Sequence, residues 1–455
     1  MVTPLHVLVL AAGQGKRMHS SLPKVLHPVL FRPMLHHVLD LATSLRPQTV
    51  GVVVGHGEAQ VREACAGYEG LRFFSQTEQK GTGHAVQQAA PFLKTQSGRL
   101  LVLYGDTPLL TKATIDKLLE SAGPAAVLTA EVAQPFGYGR ILRDGSGRFT
   151  AIREETDCSE SERAVREINS GVYVFELGEL LPHLETLQSH NKQGELYLTD
   201  VVEKLVSLGR SVAAVRVQDA TEILGINDRA ALADVQVLLR DRTNAFFMRL
   251  GISLQDPKST WIDPRCRISS DVSIESGAQI INSRIESGVR IEAGCRIQNT
   301  EIAVGTAIRQ GSYLDGANIG PDCSVGPYAH LRPGTVLARE VRIGNFVEVK
   351  KSTLGEGSKA AHLAYIGDAE IGDDVNLGCG FITCNFDGGP QKHKTVVESN
   401  VFIGSDTQAV APVTIGRGSY IAAGSTVTQD VPQESLVITR GRQITKPGYA
   451  GKYKR

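Results

Sequence analysis

The sequence lacks a net charge, a long hydrophobic run and a closely spaced cysteine pair. Its 455 residues include 48 Lys and Arg against 48 Asp and Glu, which argues against the global positive field of a nucleic-acid-binding protein. No apolar run reaches the roughly 20 residues of a membrane-spanning helix, so neither a membrane nor a nucleic acid is an expected partner. The seven cysteines are scattered without a Cys-x-x-Cys pair, which favours reduced thiols in a cytoplasmic protein over disulfide bonds or a zinc site.

Two familiar phosphate-binding motifs are missing as well. The sequence contains neither a Walker loop nor the Gly-x-Gly-x-x-Gly dinucleotide pattern. Instead, the apolar run Leu5–Leu10 leads into a loop with Gly13 and Gly15, followed by Arg17 and Lys24. Glycines let backbone N–H groups approach an anion closely, and the two basic side chains add positive charge. A glycine turn alone is weak support, but the whole arrangement predicts that this loop holds a phosphate group.

Short apolar runs alternate with helical patterns over about the first 230 residues, which predicts an α/β domain with a mostly parallel sheet. Strands are expected at Leu5–Leu10, Val50–Val54, Leu100–Tyr104, Ala126–Ala130 and Val172–Phe175. After this domain, Asp228 is expected to cap a long helix that stops at Gly251 and links the domain to the rest of the chain.

A six-residue spacing of aliphatic residues dominates the second half of the chain. The longest runs are Ile319, Val325, Leu331, Leu337, Ile343 and Ile403, Ala409, Ile415, Ile421, Val427. Neither a helix nor a simple strand has this period, whereas a β-helix places one strand and one turn in every six residues. The region resembles the left-handed β-helix acyltransferases, which usually assemble as trimers. It is expected to run from near Trp261 to about Val431.

Two segments interrupt the six-residue period, Ser352–Tyr365 and Thr383–Glu398. Insertions in a repeat protein form loops on its flank and often carry function, so both segments are expected to be loops. His362 lies in the first of them. A histidine suits general base catalysis because its reference pKa of about 6.5 is near working pH. A histidine in an apolar stretch is, however, also compatible with a packing role.

The motifs together resemble one family. The string Leu10–Met18, followed by Lys24, is similar to the nucleotide-sugar pyrophosphorylase signature, with Lys16 in place of the usual threonine. Further matching positions are Gln76, Gly81, Thr82, Tyr104, Gly105, Asp106, Gly139, Glu154, Asn169 and Asn227. From end to end the chain resembles the bacterial family of bifunctional UDP-N-acetylglucosamine pyrophosphorylases/glucosamine-1-phosphate N-acetyltransferases.

The resemblance implies a site for UTP and UDP-N-acetylglucosamine in the N-terminal domain. Its residues would be Leu10, Ala11, Ala12, Gly13, Arg17, Lys24, Gln76, Gly81, Thr82, Tyr104, Gly105, Asp106, Gly139, Glu154, Asn169 and Asn227. Asp106 and Asn227 would supply the oxygen ligands of a Mg²⁺ ion. From the residues alone, Asp106 is also compatible with a turn or cap, and Glu154 with a charged surface.

The same resemblance implies a second site in the β-helix, with His362 as the base. Glucosamine-1-phosphate would be bound by Arg332, Lys350, Tyr365 and Asn376, and acetyl-CoA by Cys379, Asn385, Phe386, Ser405, Ala423 and Arg440. Arg332 and Lys350 are 18 residues apart, the length of three hexapeptides, so they are expected on neighbouring coils. Phe386 replaces the usual tyrosine of the family. Ser405 and Ala423 are also the small residues expected at any hexapeptide turn.

The combined prediction has three parts: a Rossmann-like nucleotidyltransferase domain, 1–228, a linker helix, 229–250, and a C-terminal left-handed parallel β-helix, 251–455. The β-helix would acetylate glucosamine-1-phosphate with acetyl-CoA, and the first domain would then transfer a uridylyl group from UTP, releasing pyrophosphate. A homotrimer in the cytoplasm is expected. Two alternatives stay open: a single-activity sugar-1-phosphate nucleotidyltransferase with a structural or regulatory β-helix, and a β-helix that is only a scaffold or binding module.

Overall fold

A computed structural model describes residues 3–189, 191 and 193–449. The chain divides into two compact units, Met1–Leu239 and Arg240–Arg455. The first unit is an α/β fold around one large sheet, and the second consists of short parallel strands. The division falls within the long helix that the sequence predicts between the two domains.

Most strands of the first unit form one nine-stranded sheet. Its strands and those of a small hairpin are β1 (Leu5–Leu10), β2 (Pro28–Val29), β3 (Arg32–Pro33), β4 (Thr49–Val54), β5 (Arg72–Ser75), β6 (Arg99–Tyr104), β7 (Ala125–Glu131), β8 (Arg140–Arg143), β9 (Phe149–Arg153), β10 (Glu167–Glu176) and β11 (Val212–Arg216). The main path is β11-β7-β10-β6-β1-β4-β5, and only β10 runs antiparallel to its neighbours along it. The five predicted strands are confirmed.

Helices lie before, between and after these strands along the chain. They are α1 (Met34–Ser44), α2 (Glu58–Ala64), α3 (Thr82–Gln87), α4 (Ala90–Leu93), α5 (Lys112–Leu119), α6 (Glu160–Arg163), α7 (Leu177–Leu184), α8 (Thr199–Ser207) and α9 (Arg229–Arg249). Leu8, Leu100 and Val127 of the central strands share one buried cluster with Val86 of α3 and Leu180 of α7. Because β1, β4 and β6 are parallel, their carboxyl ends lie at one edge of the sheet, where such sheets bind ligands.

The long helix α9 has the boundaries that the sequence signals indicate. Oδ1 of Asp228 accepts a hydrogen bond from the backbone N–H of Ala231 at 2.9 Å, as an N-cap does. The helix ends at Arg249, and Gly251 takes a left-handed backbone conformation with φ 91°. Within the described ranges, no helix combines the length and the apolar character that a membrane crossing requires.

The second unit is built from three sheets of short parallel strands, which form the three faces of a β-helix. The first face contains Ser253–Leu254, Ser273–Ile274, Arg290–Ile291, Ala307–Ile308, Ser324–Val325, Arg342–Asn345, Lys359–His362, Asn376–Leu377, Phe402–Ile403, Tyr420–Ile421 and Leu436–Val437. The second face contains Trp261–Ile262, Gln279–Ile281, Arg296–Gln298, Tyr313–Asp315, His330–Leu331, Glu348–Lys350, Tyr365–Gly367, Ile382–Cys384, Gln408–Val410 and Thr426–Val427. The third face contains Arg267–Ile268, Arg284–Ile285, Glu301–Ile302, Asn318–Ile319, Val336–Leu337, Thr353–Leu354, Ala369–Ile371, Thr395–Val397 and Val413–Ile415.

Inward-facing aliphatic side chains form one continuous core along the β-helix. On the second face, strand pairing aligns Leu314 with Leu331, Leu331 with Val349, and Val349 with Ile366, and all four are fully buried. Successive coils here therefore contain 17 or 18 residues. Burying each such side chain contributes about 1.5–3 kcal/mol. Because one coil cannot exclude water alone, neighbouring coils stabilise each other.

The region predicted from the six-residue repeat is narrower than the β-helix. Its first strand is Ser253–Leu254 and its last is Leu436–Val437, so coils extend on both sides of the region expected from Trp261 to Val431. The terminal strands keep an aliphatic residue in register, since Leu254 pairs with Ile274 and Val437 with Ile421. These two residues lie eight and ten positions from the aliphatic residues of the adjacent strands along the chain, Ile262 and Val427, and not six. The six-residue signal in the sequence therefore fades before the fold ends.

The prediction of one of the two loops is wrong. Ser352–Tyr365 is not an insertion, because it contains the regular strands Thr353–Leu354 and Lys359–His362, which pair with adjacent coils. The apparent break is a shortened step of five residues from Val349 to Leu354, whose turn is one residue tighter. A missing turn residue disturbs the sequence period as an insertion does, but it leaves the coil closed.

The second expected loop is confirmed, but it is shorter than the predicted segment Thr383–Glu398, which overlaps a strand at each end. Strands Ile382–Cys384 and Thr395–Val397 of one coil are separated by residues 385–394, which belong to no strand. The loop is fastened at its base, where the backbone N–H of His393 donates to the carbonyl of Asn385 at 2.9 Å. This insertion lies between the second and third faces.

We expect Leu331→Ala to destabilise the β-helix by about 2–5 kcal/mol, because it removes most of a fully buried side chain and leaves a cavity between stacked coils. Val336→Ala is the matched control, since Val336 is 40% exposed in the next strand of the same coil. Its expected effect is at most about 0.5 kcal/mol. Denaturant unfolding of the full-length protein measures both changes in the β-helix transition. Equal effects would contradict the inward placement of Leu331.

Candidate active sites

The loop after β1 offers backbone N–H groups at the carboxyl edge of the sheet. The N–H of Ala11 donates to the carbonyl of Val53 at 2.8 Å, which fastens the loop to β4. Gly13 is exposed. Gly15 has a left-handed φ of 62°, and a Cβ there would lie 2.6 Å from Cβ of Lys24. Glycine therefore allows the loop to close against Lys24.

The side chains of this loop divide into a buried and an exposed group. Leu10, Ala11 and Ala12 are buried, so they offer a ligand their backbone rather than their side chains. Lys16 and Arg17 are exposed, and within the described residues neither donates a side-chain hydrogen bond. Both are therefore available to an anion, including Lys16 where the related signature has threonine.

Three polar side chains from distant parts of the chain meet beside this loop. Asp106 follows β6 and Asn227 precedes α9, and the backbone N–H of Ile226 donates to the Asp106 carbonyl at 3.0 Å. The ammonium group of Lys24 pairs with the carboxylate of Asp106 and donates to Oδ1 of Asn227 at 2.8 Å. The Lys24 and Asp106 side chains are 13% and 18% exposed. A carboxylate oxygen and an amide oxygen thus converge on one positive charge.

These oxygens fit a Mg²⁺ ion. Mg²⁺ prefers hard oxygen ligands, keeps several waters and commonly takes its other ligands from substrate phosphates. Asp106 and Asn227 provide such oxygens, and the ammonium group of Lys24 marks the point where they accept a cation. Nowhere in the described chain do three or more His, Cys, Asp or Glu side chains form a group that would hold a metal by themselves.

The segment after β5 lies against the same loop. The backbone N–H of Gln76 donates to the carbonyl of Val54 at 2.7 Å, and Gln76 is 5% exposed. Nε2 of Gln79 donates to the carbonyl of Ala12 at 2.8 Å. Nε2 of Gln76 donates to the carbonyl of Gly81 at 3.2 Å. The amide nitrogen of Gln76 is therefore engaged within its own segment rather than free for a ligand.

A cavity of about 370 Å³ collects five of the residues predicted to bind UTP and UDP-N-acetylglucosamine. Thr82, Tyr104, Gly139, Glu154 and Asn169 all line it. They come from α3, from the end of β6 and from the β8–β10 region, so no local sequence pattern groups them. Glu154 lies in the cavity wall, which disfavours the reading of this residue as part of an open charged surface.

Hydrogen bonds and one glycine shape this cavity. Nδ2 of Asn169 donates to the hydroxyl of Tyr173 at 2.7 Å, and Oδ1 accepts from the N–H of Gly171 at 3.0 Å. The backbone N–H of Asn169 donates to the carbonyl of Gly139 at 2.8 Å. Gly171 has φ 81°, and a Cβ there would lie 2.6 Å from the ring of Tyr104. The glycine therefore makes room for that ring.

An acidic wall that the sequence analysis did not identify adjoins Glu154. Glu154 accepts a hydrogen bond from the Thr199 side chain, and its pKa is raised, mainly by burial and further by Asp157 and Asp200. Burial, with the charges of Glu203 and Asp157, raises the pKa of Asp200 to about 6. These residues line a neighbouring cavity of about 620 Å³. No motif marks them, because they meet only when α8 packs beside β9.

In the second unit, one edge of the β-helix stacks His362 with three of the six residues predicted to contact acetyl-CoA. We term it the His362 edge: the turns between the first and second faces at His362, Cys379, Ser405 and Ala423. The carbonyls of Cys379 and Ser405 accept backbone hydrogen bonds from the next coil at 2.7 and 2.8 Å. The carbonyl of Ala423 accepts from Nη1 of Arg440 at 2.6 Å. These contacts arrange the residues as a row along successive coils.

The ring of His362 is held by one side chain of the preceding coil. Nδ1 of His362 lies 2.9 Å from Oδ1 of Asn345. An amide oxygen only accepts hydrogen bonds, so Nδ1 carries the proton and Nε2 has a free lone pair. His362 is exposed at the end of a regular strand and not in an inserted loop. Its position at a turn makes Nε2 accessible.

The opposite edge of the second face carries the predicted phosphate-binding cations. We term it the Arg332 edge: the turns between the second and third faces at Arg332, Lys350 and Asn385. Arg332 directly follows the strand His330–Leu331, which pairs with the strand Glu348–Lys350, so the predicted placement of Arg332 and Lys350 on neighbouring coils is confirmed. Nη1 of Arg332 donates to Glu348 at 2.7 Å. The ammonium group of Lys392, in the inserted loop, is the main cause that lowers the pKa of Lys350.

The base of the inserted loop completes this edge. Asn385 is 5% exposed and its side-chain nitrogen donates to the carboxylate of Asp368. Phe386 is 62% exposed, and the ammonium group of Lys392 lies 5.9 Å from its ring centre. Replacement of the family's tyrosine by Phe386 thus keeps an exposed ring. The sequence analysis did not identify Lys392, although this residue lies in one of the segments that interrupt the six-residue period.

Tyr365 and Asn376 lie on the faces and not at the edges. A Cβ on Gly367 would lie 2.5 Å from the Tyr365 hydroxyl and 2.8 Å from Nδ2 of Asn385, so this glycine makes room for both. Asn376 is half-buried on the first face.

In one chain the His362 edge and the Arg332 edge border opposite sides of the second face. A single chain therefore does not bring all the predicted acetyltransferase residues together.

Three family models match parts of this chain. The model of the MobA-like NTP transferase domain matches residues 7–247. The model of the GMPPB C-terminal domain matches residues 262–354, and that of the bacterial transferase hexapeptide, with six repeats, matches residues 394–429. The first match covers the α/β unit, and the other two cover parts of the β-helix.

Curated relatives match over nearly the whole length. The chain is 48% identical to the bifunctional protein GlmU of Pelobacter propionicus over 97% of both chains. It is 44% identical to the bifunctional protein GlmU of Brevibacillus brevis over 100% of this chain and 99% of the relative. A solved structure, a putative glucose-1-phosphate thymidylyltransferase of Bacillus anthracis, is 18% identical with a TM-score of 0.43 over 52% of this chain and 96% of its own, a likeness too weak to carry an argument.

We expect Asp200→Asn to raise the thermal unfolding midpoint of the first unit at neutral pH. The pKa of Asp200 in the folded protein, about 6, exceeds its ordinary value of 3.8. Protonation of this carboxyl therefore favours the folded state. This contribution to stability is fully present below the ordinary pKa and is lost as the pH rises through about 6. Asparagine does not titrate. The advantage of the variant should therefore be absent below about pH 4, grow up to about pH 6 and then stay constant.

Thermal unfolding between pH 4 and 8 measures this effect. Asp116→Asn is the control, because Asp116 is an exposed carboxylate that pairs with Lys112 on α5. It should show no gain that grows with pH. A gain from Asp200→Asn that is the same at every pH would contradict the raised pKa.

Proposed function

The chain belongs to the family of bifunctional GlmU proteins, and we propose that it catalyses two successive transfers that produce UDP-N-acetylglucosamine. The β-helix acetylates glucosamine-1-phosphate with acetyl-CoA. The α/β unit then joins N-acetylglucosamine-1-phosphate to the uridylyl group of UTP and releases pyrophosphate. The observation that carries this proposal is the convergence of Lys24, Asp106 and Asn227 beside the glycine loop, in a chain whose β-helix holds His362 by Asn345.

Uridylyl transfer joins two anions, so charge neutralisation and positioning are its main demands. An oxygen of the sugar phosphate attacks the α-phosphorus of UTP, the bond from this phosphorus to the β-phosphate oxygen breaks, and pyrophosphate leaves. Lys24, Arg17 and the backbone N–H groups of the loop around Gly13 hold the triphosphate. Asp106 and Asn227 would hold a Mg²⁺ ion, which supplies additional positive charge to phosphate oxygens. The chain itself forms no covalent bond to the nucleotide.

The remaining predicted residues bind the organic parts of the two substrates. Gln76 faces the uracil ring, and Gly81 with Thr82 borders the base and ribose. Tyr104 and Gly105 precede the metal-binding carboxylate at the end of β6. Gly139, Glu154 and Asn169 contact the N-acetylated sugar. Their common cavity of about 370 Å³ supports this assignment, because it concentrates hydrogen-bonding groups around a space suited to a monosaccharide.

We expect Asp106→Asn to lower uridylyl transfer at least about tenfold, because the loss of one carboxylate charge weakens the cation site. Acetyl transfer by the same polypeptide should be unchanged. A pyrophosphate-release assay measures the first activity, and Asp116→Asn again serves as the control. A normal rate in Asp106→Asn would remove this residue from the metal site.

In the acetyl transfer, the amine of glucosamine-1-phosphate attacks the thioester carbonyl of acetyl-CoA. Nε2 of His362 takes a proton from this amine, the carbon–sulfur bond breaks, and the CoA thiolate leaves and is protonated. Asn345 keeps the proton on Nδ1, so Nε2 is the basic atom. Arg332 and Lys350 hold the sugar phosphate, with Tyr365 and Asn376 at the sugar.

Acetyl-CoA extends along the row of turns that begins at His362. Cys379, Ser405 and Ala423 are small residues at successive levels of the His362 edge, so an elongated ligand can lie against their backbone. The guanidinium group of Arg440, at the end of this row, is placed for a phosphate of CoA. Asn385 and Phe386 would contact the same ligand from the Arg332 edge.

A homotrimer completes the second site in this proposal. One molecule of glucosamine-1-phosphate has to reach both the base, His362, and the cations Arg332 and Lys350, which border opposite sides of the second face. Packing of the Arg332 edge of one subunit against the His362 edge of its neighbour would unite the two sets. Repeating this contact around a threefold axis closes the ring.

Two other functions compete with this proposal. In a single-activity nucleotidyltransferase the β-helix would have only a structural or regulatory role, and in a passive scaffold it would bind without catalysis. Neither explains why a histidine with a fixed tautomer begins a row of small turn residues, or why two cations stack on the other edge. The functional domain limits, 1–228, 229–250 and 251–455, and the cytoplasmic location also stay predictions.

We expect His362→Ala to lower acetylation of glucosamine-1-phosphate at least about a hundredfold, because the amine loses its base. Uridylyl transfer should be unchanged. Assays of thiol release and of pyrophosphate release measure the two activities on one preparation. His183→Ala, on α7 of the other unit, is the control and should leave acetylation intact. Normal acetylation by His362→Ala would mean that another group is the base.

A further inference from the structure

An ion pair with a fully buried arginine holds one wall of the cavity proposed for the sugar. Arg140, the first residue of β8, is 1% exposed, and its Nη2 donates to Oε2 of Glu155 at 2.7 Å. Nη1 of Arg140 donates to the backbone carbonyl of Tyr138. Oε2 of Glu155 also accepts from the backbone N–H of Gly137 at 3.2 Å. The pair therefore holds the backbone of two consecutive residues, Gly137 and Tyr138.

This pair is the anchor of a short loop that enters the cavity. Gly137 and Tyr138 belong to no strand. Among the described residues, their only other backbone hydrogen bond runs from the N–H of Tyr138 to the carbonyl of Pro135 at 3.2 Å, inside the same loop. Gly139 is fastened separately, because its carbonyl accepts from the N–H of Asn169 at 2.8 Å. Loss of the pair would thus leave the backbone of Gly137 and Tyr138 without an anchor on the sheet.

Stability alone does not account for an ion pair at this place. Burial of two charges carries a desolvation cost that an apolar pair of similar volume avoids. In the part of the chain that the structure describes, Nε of Arg140 is moreover buried without a hydrogen-bond partner. An apolar pair, however, cannot bond to a carbonyl and an N–H group at once. What the ion pair adds is the fixed position of these two backbone groups.

The loop carries the side chain of Tyr138 into the site. Tyr138 lines the cavity of about 370 Å³ together with Glu154 and Asn169. The pKa of Tyr138 is raised, mainly by burial and further by the carboxylate of Asp106, so its hydroxyl is within electrostatic range of the proposed metal ligand. A sugar-1-phosphate whose sugar occupies the cavity and whose phosphate approaches Asp106 passes beside this side chain.

We propose that Tyr138 is a further binding residue for the sugar phosphate and that the pair Arg140–Glu155 positions it. The ring of Tyr138 offers an apolar face to the C–H groups of the sugar, and its hydroxyl donates to a sugar or phosphate oxygen. Arg140 and Glu155 act through the backbone of the loop. UTP binds through the glycine loop and the segment of Gln76, so its binding does not depend on the pair. This inference rests on the proposed uridylyl transfer and on the placement of the sugar in this cavity.

A double substitution separates position from stability. Arg140→Met combined with Glu155→Leu removes both charges, so neither partner is left buried alone. The matched control is Arg143→Met combined with Glu167→Leu, because this pair, at 2.7 Å, also includes an arginine of β8 but is not part of the cavity wall. Tyr138→Ala removes the positioned side chain itself. Pyrophosphate release by the full-length protein gives the KM for N-acetylglucosamine-1-phosphate and the KM for UTP, and thermal unfolding shows whether each variant is folded.

We expect the KM for N-acetylglucosamine-1-phosphate to rise about tenfold or more in the Arg140/Glu155 double variant and in Tyr138→Ala, while the KM for UTP stays within about threefold of wild type. Because the pair acts through Tyr138, combining all three substitutions should raise the KM no further. The control should leave both KM values within about threefold of wild type.

A wild-type KM for the sugar phosphate in the double variant or in Tyr138→Ala would overturn the inference, as would equal rises in both KM values. A double variant that failed to fold would show that the pair serves stability and would equally overturn its positioning role. If the unmodified protein converted no N-acetylglucosamine-1-phosphate, the proposed uridylyl transfer itself would be wrong, so the two failures are distinguishable.

Discussion

Parallel strand pairing is the interaction on which both candidate sites depend. In the α/β unit it aligns the carboxyl ends of β1, β4 and β6, and the N–H of Gly105 donates to the carbonyl of Leu10 at 2.9 Å. The glycine loop and Asp106 are neighbours for this reason. In the β-helix the same pairing repeats in every coil and sets Lys350 beside Arg332. Both candidate sites therefore depend on strand register. A slip by one residue would turn each aliphatic side chain of a strand outward and would displace each polar side chain from its position in the stack.

A second feature recurs in both units: a hydrogen bond to one polar atom of a side chain leaves its other polar atom without a partner in the described part of the chain. Oδ1 of Asn345 lies at Nδ1 of His362 and leaves Nε2, the atom proposed as the base, without a partner among the described residues. The carbonyl of Gly81 accepts from the side-chain nitrogen of Gln76 and leaves its oxygen, proposed to face the uracil ring, without a partner within the described ranges. Such neighbours remove alternative hydrogen-bonding arrangements before a ligand arrives, which lowers the entropy lost on binding.

The sequence predicted the architecture well because the two units have strong periodic signals. Aliphatic residues six apart identify coils, and apolar runs such as Leu5–Leu10 identify buried strands. The interpretation of Ser352–Tyr365 failed because a shortened turn and an insertion both break a period, and only strand pairing distinguishes them. Thr199, Asn345 and Lys392 were missed for a related reason. Each acts through a contact with a residue far away in the sequence, and no motif records such contacts.

The central claim is that one chain carries both transferases, and a single reaction mixture tests it most directly. Full-length protein is supplied with glucosamine-1-phosphate, acetyl-CoA, UTP and Mg²⁺, each component is omitted in turn, and products are identified by mass spectrometry. The complete mixture should yield UDP-N-acetylglucosamine, and omission of UTP should leave N-acetylglucosamine-1-phosphate. Glucosamine-1-phosphate that stays unacetylated in the complete mixture, while added N-acetylglucosamine-1-phosphate is still converted to UDP-N-acetylglucosamine, would contradict the claim.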